Sequence, residues 1–400
     1  MKKIKVVDSI MGSGKTSWAM DYINNNSFGK NYIYITPFLD EVKRVKSSIT
    51  NKHFYDPINE GNGKLENLKE LISEGYDVVS THALFQKADK ELIDLIRVGN
   101  YTLILDEVMN VIQQVPLNND DFKLLLQNDI VSIAEDGSIK WNNSKGYDDT
   151  KYNNIREMAN LGTLMYHRQS VLMWTFPVEV FESFKEVYIL TYYFDAQFQK
   201  YYYDLFGIEY EYYSVKQEDY KYMLIPRDNL IEDRSIFKDL IHIYEGKLND
   251  VGTLGKLSKT WLIDRSNAND IDRLRKNTIN YFKNINKAKS HECLWTTIKA
   301  VKHKVGGKGY IKSFSSCNER ATNKYADRNN LAYILNRYMP VMEKGFLIDK
   351  GIYVDEDKWA LSELLQWIWR SSIRNYQKIN IYIPSLRMRN LLYDWLENSI

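Results

Sequence analysis

Short apolar runs alternate with amphipathic stretches along the first half of the chain. The apolar runs predict strands at residues 4–7, 32–35, 77–80, 103–105 and 187–190. The stretches between them have the spacing of helices, beginning with a helix from Ser17 to about Asn24. Because parallel strands need helical crossovers, this alternation predicts an α/β fold in which helices cover both faces of a parallel sheet.

The second half of the chain repeats the alternation. It predicts strands at residues 260–263 and 379–383, and helices at 267–283, 359–370 and 386–397. We place the boundary between the two α/β layers near residues 214–230, after a tyrosine-rich stretch and around Pro226. The chain is therefore expected to form two domains, residues 1–225 and residues 226–400.

Residues 115–170 fit neither predicted sheet. Within them, apolar runs at 130–133 and 138–141 flank Asp136-Gly137, a dipeptide typical of tight hairpin turns. We interpret this segment as an insertion in the first domain that contains a hairpin. It could contact a partner or substrate, or it could be a passive surface elaboration, and the sequence favours neither.

The composition is that of a folded protein. The chain has 400 residues, of which 44% are hydrophobic and 26% charged, which argues against a disordered or fibrous chain. The two cysteines, Cys293 and Cys317, form no C-x-x-C pattern, so neither a disulfide framework nor a cysteine-based zinc site is expected. No apolar run reaches the length of about 18 residues that spans a membrane, so we expect a cytoplasmic protein without a membrane partner.

The net charge of +2 conceals an asymmetry between the halves. Residues 1–225 contain 24 Lys and Arg against 32 Asp and Glu, whereas residues 226–400 contain 30 against 20. The first half is therefore acidic, at −8, and the second basic, at +10. This split indicates a polyanionic partner, although uneven surface charge without functional meaning explains it equally well.

The clearest chemical signal is the segment from Ser9 to Thr16, which lies between a predicted strand and a predicted helix. Glycines allow such a loop to turn its backbone N–H groups towards phosphates, a lysine reaches the outer phosphates, and a hydroxyl binds Mg²⁺. The following helix adds the positive end of its dipole. The predicted nucleotide contacts are Ser9, Met11, Gly12, Ser13, Gly14, Lys15 and Thr16, with Thr16 also a metal ligand.

An acidic pair follows the strand predicted at residues 103–105. Asp106 is predicted to hold Mg²⁺, and Glu107 to orient and deprotonate the attacking water. Together with Lys15, this pair indicates nucleotide hydrolysis. Kinases of small molecules share the phosphate loop, so these residues alone do not distinguish hydrolysis of the nucleotide from transfer of its phosphate to a small molecule.

In their order along residues 8–374, these motifs resemble those of superfamily 2 helicases of the DEAD/DEAH type. Besides the phosphate loop and Asp106-Glu107-Val108-Met109, the matching segments are Thr36-Pro37, Ser80-Thr81-His82, Ile189-Leu190-Thr191-Tyr192, Trp261-Leu262-Ile263-Asp264, Ala321-Thr322-Asn323 and the segment from Gln366 to Arg374. The variant form is similar to small helicases encoded by phages and related mobile elements.

The resemblance implies two tandem RecA-like domains with ATP and Mg²⁺ in the cleft between them. It implies that Arg370 and Arg374 stabilise charge on the γ-phosphate, that Gln366 takes part in catalysis, and that Asp327 contacts the nucleotide. Arginine suits this position because its guanidinium stays charged and binds phosphate oxygens in a fork.

The sequence departs from the helicase pattern at four places. Ser9 stands where many phosphate loops have glycine, and Met109 where His or Asp is usual. In the last motif Trp369 replaces a glycine, and the second arginine lies one residue late, which leaves Ile373 at the expected place.

Two observations predict contacts with nucleic acid. The resemblance implies contacts from Thr36, Pro37, Thr81, His82, Arg265 and Thr322. Independently, residues 273–312 contain 11 Lys and Arg and one acidic residue, Glu292, with Trp295 and Tyr310 among them. This stretch is typical of a surface that follows a phosphate backbone, with predicted contacts at Lys302, Lys304 and Lys308. A solvated lysine-rich face is the alternative.

The leading hypothesis is an ATP-dependent helicase or translocase on nucleic acid, with DNA favoured over RNA. We expect it to act in replication, recombination or repair of a phage or mobile element, with partner proteins of those processes, in the host cytoplasm. Two alternatives stay open: a nucleic-acid-stimulated ATPase or binding module that unwinds nothing, and a DNA-packaging motor ATPase. A small-molecule kinase would leave the basic half unexplained.

Overall fold

The computed structural model describes residues 3–59, 61–145, 150–169, 171–229, 232–253, 255–317 and 324–398. The chain divides into two compact units, each described by itself. Unit 1 comprises Met1–Leu230 and Pro340–Val354, and unit 2 comprises Ile231–Met339 and Asp355–Ile400. Residues 340–354, which the sequence analysis assigned to the second domain, thus lie in unit 1.

Unit 1 is built on an eight-stranded sheet with the order β13-β12-β1-β11-β5-β2-β4-β3. Its strands are β1 (Ile4–Asp8), β2 (Asn31–Thr36), β3 (Phe54–Tyr55), β4 (Asp77–Thr81), β5 (Tyr101–Asp106), β11 (Glu186–Thr191), β12 (Tyr210–Glu218) and β13 (Lys221–Pro226). All neighbouring pairs are parallel except β12 and β13, which form an antiparallel hairpin at one edge. The strands predicted in the first half are confirmed.

Most helices of unit 1 lie between consecutive strands of this sheet, and the sixth and seventh lie within the predicted insertion. In chain order the helices are α1 (Lys15–Asn25), α2 (Leu39–Ser48), α3 (Lys64–Ser73), α4 (His82–Phe85), α5 (Lys90–Gly99), α6 (Asn119–Gln127), α7 (Asn153–Asn160), α8 (Val178–Ser183) and α9 (Phe198–Phe206). All six residues of β5 are buried, as expected for a strand covered on both faces. Trp18, Ala19 and Ile23 of α1 pack into a core cluster with Tyr32 and Tyr34 of β2.

The segment 112–175, which is slightly longer than the insertion predicted at residues 115–170 and is called the inserted segment, has its own strands. They are β6 (Ile112–Val115), β7 (Val131–Ile133), β8 (Ile139–Trp141), β9 (Leu164–His167) and β10 (Val171–Thr175). β6, β10 and β9 form a three-stranded antiparallel sheet. β7 and β8 pair antiparallel around Asp136-Gly137, where Gly137 has a φ of 86°. The hairpin predicted at this turn is confirmed.

Unit 2 has a four-stranded parallel sheet in the order β14-β17-β16-β15. The strands are β14 (Ile241–Ile243), β15 (Cys293–Thr296), β16 (Asn330–Tyr333) and β17 (Ile379–Tyr382). The helices are α10 (Ser235–Leu240), α11 (Lys259–Ile263), α12 (Ala268–Asn280), α13 (Lys302–Val305), α15 (Glu356–Ile368) and α16 (Leu386–Leu396). The strand predicted near 379–383 and the three predicted helices are confirmed.

The strand predicted at residues 260–263 is wrong, because these residues form α11. The hydroxyl of Ser258 accepts a hydrogen bond from the backbone N–H of Trp261 at 3.2 Å and caps the start of this helix. A run of four residues containing Trp, Leu and Ile is too short for periodicity to separate a strand from a helix.

One further helix of unit 1, α14 (Val341–Asp349), comes from the segment that interrupts unit 2 along the chain. The guanidinium of Arg168 donates two hydrogen bonds to the carboxylate of Asp349, at 2.6 and 2.9 Å. The backbone N–H of Gln114 on β6 donates to Glu343 at 3.3 Å. α14 is therefore attached to the three-stranded sheet of the inserted segment.

Within the described residues, no helix combines the length and apolarity needed to cross a membrane. Within the same residues, no group of three or more His, Cys, Asp and Glu side chains is arranged to bind a metal ion.

Packing of α14 on the inserted segment gives the first testable prediction. Phe346 is fully buried, and its ring meets that of His167 at a centroid distance of 5.5 Å. We predict that Phe346→Ala lowers the free energy of unfolding of unit 1 by about 3–5 kcal/mol, because it removes buried apolar surface and leaves a cavity. Urea unfolding followed by circular dichroism measures the change.

Val341→Ala is the matched control, because Val341 lies on the same helix and is 72% exposed. It should leave the free energy of unfolding nearly unchanged. Equal effects of the two substitutions would show that α14 does not pack on unit 1 in solution.

Candidate functional site

Polar residues line the carboxyl edge of the large sheet of unit 1. Asp8 at the end of β1 is paired with Thr191 of β11, and Asp106 of β5 is paired with Leu190. Ile35 pairs with Leu105, so Thr36 lies beside Asp106. The strand order makes these residues neighbours along one edge. In open parallel sheets, ligands bind at this edge.

The phosphate loop connects β1 to α1 at this edge. Gly12 and Gly14 have φ values of 87° and 91°, a conformation that favours glycine. α1 begins at Lys15 and has 11 residues, and its first turn is capped by no side chain because Gly14 has none. Lys15 is buried and donates hydrogen bonds to the backbone oxygens of Ser9, at 2.5 Å, and Ile10, at 3.1 Å.

Ser9 has a structural role that a glycine could not supply. Its hydroxyl accepts a hydrogen bond from the backbone N–H of Val215 on β12 at 2.9 Å. Its own N–H donates to the backbone oxygen of Thr191 at 3.1 Å. The residue that departs from the usual glycine therefore ties the loop to the strands on both sides.

The acidic pair follows β5 in the expected place. Asp106 is buried and accepts a hydrogen bond from the hydroxyl of Tyr34 at 3.0 Å. Burial, together with the neighbouring charge of Glu107, raises the pKa of Asp106 to about 7. Glu107 has a φ of 64°, a strained conformation for a residue with a side chain, and such strain concentrates at functional sites.

Three hydroxyls at this edge are buried without a hydrogen-bond partner among the described residues. They belong to Ser13 in the phosphate loop, Thr36 at the end of β2 and Thr191 at the end of β11. Buried polar atoms are nearly always hydrogen bonded in folded proteins. A phosphate group with its divalent cation supplies the acceptors and charge that these hydroxyls, Lys15 and Asp106 would bind.

A second buried carboxylate, that of Asp8, lies at the base of the phosphate loop. It accepts hydrogen bonds from the backbone N–H groups of Tyr193, at 2.8 Å, and Phe194, at 3.1 Å. The guanidinium of Arg227 lies 3.1 Å from it and 3.4 Å from Asp195. Burial outweighs these partners and raises the pKa of Asp8 to about 6. This network fixes the point where β1 becomes the loop.

The raised pKa of Asp8 predicts a pH dependence of stability. The ordinary pKa of an aspartate is 3.8, so the folded state binds the proton more tightly than the unfolded state does. The corresponding stabilisation is complete below about pH 4 and is lost as the pH rises through about 6. The free energy of unfolding of the wild type, minus that of Asp8→Asn, should therefore fall by up to about 3 kcal/mol over this range.

Urea unfolding of both proteins at pH 4.5, 5.5, 6.5 and 7.5 measures this difference. Within the part of the chain that the structure describes, the charged or titratable groups that interact with Asp8 include Arg227, Asp195 and the hydroxyl of Tyr212. A difference that does not change with pH would show that Arg227 keeps the carboxylate ionised throughout.

The other residues predicted on unit 1 differ in exposure. Thr36 is fully buried, so the structure does not support its predicted contact with nucleic acid. Pro37, Thr81 and His82 are half-buried at the ends of β2 and β4. His82 Nε2 lies 3.0 Å from the backbone oxygen of Asp106, which links the end of β4 to the acidic pair.

On unit 2, Arg370 is buried and faces its own unit. Its guanidinium donates to the hydroxyl of Ser315 at 3.1 Å and to the backbone oxygens of Ser316 at 2.7 Å and Cys317 at 3.0 Å. Its predicted contact with a γ-phosphate is therefore not supported, because these bonds hold it inside unit 2. Arg374 is half-buried on the short helical turn Ser372–Asn375.

Two further residues of unit 2, Asp327 and Gln366, were predicted to act at the nucleotide, and they differ in burial. Asp327 is exposed and lies 3.2 Å from the guanidinium of Arg328. The amide nitrogen of Gln366 is buried with no hydrogen-bond partner among the described residues. Thr322 lies outside the described residues.

The basic segment of unit 2 is only partly a surface. Arg265 and Lys304 are exposed and line one groove of about 270 Å³, together with Asp264 and Asp272. Lys308 is exposed, and the ammonium of Lys302 lies 4.5 Å from the ring centroid of Phe314. The structure thus brings two of the four predicted cations together.

The two aromatic residues of this segment belong to the core. Trp295 and Tyr310 are fully buried and their rings meet edge to face at 5.2 Å. The hydroxyl of Tyr310 donates to the backbone oxygen of Val305 at 2.6 Å. The idea that they interleave with the lysines on a binding surface is wrong, because neither ring reaches the surface.

Several residues of the site were not found from the sequence. Tyr34 is the hydrogen-bond donor to Asp106, and Gln199 accepts from the backbone N–H of Met109 at 2.9 Å. Met109 is itself buried. Asp8 directly precedes the phosphate loop, and a carboxylate at the end of an apolar strand was a usable signal.

The fold is that of the two-domain helicases. A solved structure described as XPD helicase matches with a TM-score of 0.54 at 11% identity, covering 99% of this chain and 94% of that chain. Xpd4 of S. tokodaii matches with a TM-score of 0.48 at 11% identity, covering 98% and 94%.

The chain belongs to the YonV family. It is 44% identical over 412 aligned positions to the SPbeta prophage-derived protein YonV of Bacillus subtilis (strain 168), covering all of both chains. The family model of the YonV middle domain matches residues 112–174, and that of the YonV C-terminal Rossmann-like domain matches residues 235–396. The middle-domain match covers residues 115–170, where the sequence predicts an insertion.

Proposed function

We propose that this protein is an ATP-hydrolysing helicase or translocase that acts on nucleic acid. The observation that carries the proposal is the arrangement at the carboxyl edge of the large sheet. The phosphate loop with Lys15 follows β1, and the acidic pair Asp106-Glu107 follows β5, with the single strand β11 between them. Hydrolysis of a nucleoside triphosphate needs these two groups close together.

In the proposed hydrolysis reaction, four side chains and the backbone of the phosphate loop each have a role. Lys15 and the backbone of the phosphate loop bind the β- and γ-phosphates at the positive end of α1. Thr16 and Asp106 hold Mg²⁺, which neutralises the phosphate oxygens when it is bound. Glu107 orients the attacking water and accepts its proton.

Among the two arginines of the last motif, we propose Arg374 as the residue that stabilises charge in the transition state. Arg370 is buried and hydrogen bonded inside unit 2, which supports a structural role instead. The roles of Gln366 and Asp327 at the nucleotide remain part of the proposal.

The proposed nucleic-acid contacts are those predicted residues that are exposed or half-buried in the structure. On unit 1 they are Pro37, Thr81 and His82, and on unit 2 they are Arg265, Lys302, Lys304 and Lys308. We favour DNA, in replication, recombination or repair of a phage element within the host cytoplasm, because the relative from Bacillus subtilis is prophage-derived.

Nucleic-acid-stimulated hydrolysis is the direct test. We predict that ATP hydrolysis rises when single-stranded DNA is added, and that Lys15→Ala and Asp106→Asn lower the rate by about 10²–10³-fold. Release of phosphate is measured without polymer and with single-stranded DNA, duplex DNA or RNA. Strand displacement on a forked duplex then separates unwinding from stimulated hydrolysis alone.

Lys43→Ala is the matched control, because the side chain of Lys43 is 81% exposed on α2. It should hydrolyse ATP like the wild type. If no polymer raises the rate of the wild type, the helicase and translocase proposal fails. If Lys15→Ala keeps full activity, the phosphate loop does not bind the nucleotide.

The two arginines should respond differently to substitution. Arg374→Ala should bind ATP normally and hydrolyse it about 10³-fold more slowly, since charge stabilisation is needed only in the transition state.

Arg370→Ala should destabilise unit 2 by about 3 kcal/mol or more, because it leaves buried oxygens without donors. Fluorescent ATP binding and phosphate release measure the effect of Arg374→Ala, and thermal unfolding measures that of Arg370→Ala. The opposite pattern would reverse the assignment.

A further inference from the structure

The edge hairpin of unit 1 extends past the end of β1. β1 ends at Asp8, whose backbone oxygen accepts a hydrogen bond from Ser214 at 3.1 Å, but β12 continues to Glu218. The chain then turns through Asp219 and Tyr220, both with positive φ, and returns as β13. At about 3.3 Å per residue, the four residues of β12 after Ser214 carry the hairpin roughly 13 Å beyond the carboxyl edge, beside the phosphate loop.

Tyr222 on the returning strand lies directly against this loop. A Cβ atom built on Gly14 would meet the Cε1 atom of the Tyr222 ring at 2.1 Å. Tyr222 is half-buried and packs against the core cluster that includes residues of α1. An aromatic ring is thus held next to the residues that precede Lys15.

Gln217 shares this face of the hairpin. It is the cross-strand partner of Tyr222, and cross-strand partners project from the same face of a sheet. Val215 and Leu224 form the next pair on that face; Val215 belongs to the core cluster with α1, and Leu224 packs against it. Gln217 is exposed.

The hairpin lies on the side of β1 towards which the nucleoside end of a bound nucleotide is expected to extend. The outer phosphate must lie towards Asp106 and Glu107, on the β11 side of β1. A nucleotide held at Lys15 therefore extends its nucleoside in the other direction. The neighbour of β1 on that other side is β12, whose hairpin carries Tyr222 and Gln217.

We propose that the hairpin of β12 and β13 is the nucleobase-binding element, in which Tyr222 stacks on the base and Gln217 hydrogen bonds to its edge. This inference rests on the proposed nucleotide site and adds its base recognition. Aromatic rings stack on any base, whereas an amide pairs with the N6 and N7 atoms of adenine. Tyr222 should thus determine affinity, and Gln217 the preference for ATP.

Equilibrium binding tests the proposal without depending on turnover. Fluorescently labelled ATP is displaced by ATP, GTP, CTP, UTP or inorganic tripolyphosphate, each with Mg²⁺. Tyr222→Ala should weaken ATP roughly ten- to a hundredfold and leave tripolyphosphate unchanged, and Tyr222→Phe should restore binding. Gln217→Ala should reduce the preference for ATP over the other nucleotides.

Tyr220→Ala is the matched control, because Tyr220 lies at the turn of the same hairpin and is 95% exposed. It should bind every ligand like the wild type. Equal weakening of ATP and tripolyphosphate in Tyr222→Ala would overturn the proposal, because the ring would then only support Gly14. Unchanged ATP affinity in Tyr222→Ala would overturn it as well.

The variant Lys15→Ala separates this inference from the proposed function. If Lys15→Ala loses both ATP and tripolyphosphate while Tyr222→Ala behaves as wild type, the phosphate site stands and the base-binding hairpin does not. If the wild type binds neither ligand, or Lys15→Ala binds both normally, the nucleotide site itself fails, and the hairpin proposal with it.

Discussion

The parallel pairing of β1 with β11 and of β11 with β5 is the constraint on which the candidate site depends. Adjacent strands lie about 4.8 Å apart, so the ends of β1 and β5 are separated by roughly 10 Å, the span of a phosphate chain with its cation. A slip of one residue would turn Asp106 to the opposite face of the sheet. All residues of β5, and all of β11 after Glu186, are buried, so apolar packing maintains this register.

Two buried carboxylates at the same edge differ in how their charge is compensated. Asp8 has the guanidinium of Arg227 at 3.1 Å, within the protein. Asp106 hydrogen bonds to the neutral hydroxyl of Tyr34, and its pKa stays raised to about 7. A divalent cation bound there would favour the ionised form and lower this pKa. Burial raises the pKa of Asp8 as well, to about 6, so the contrast lies in the partners and not in the direction of the shift. A cation of its own unit supports a structural role for Asp8, and a neutral partner supports the ligand binding proposed for Asp106.

How far the sequence predicts this protein depends on the distance over which each signal acts. The strands around the phosphate loop were predictable because their apolar runs and the glycines between them are local features. The helix at Lys259–Ile263 was missed because four residues carry too little periodicity. The burial of Arg370, Trp295 and Tyr310, and the membership of α14 in unit 1, depend on contacts between distant residues, which no local pattern records.

The departure at Ser9 and the edge hairpin are best understood together. A glycine at this position would leave the backbone N–H of Val215 without the acceptor that the Ser9 hydroxyl provides. That bond is made at the point where β12 passes the end of β1, at the base of the projecting part of the hairpin. Since buried N–H groups without acceptors are costly, Ser9 stabilises the hairpin as well as the loop. The residue that weakens the match to the usual phosphate loop thereby positions the element that carries Tyr222.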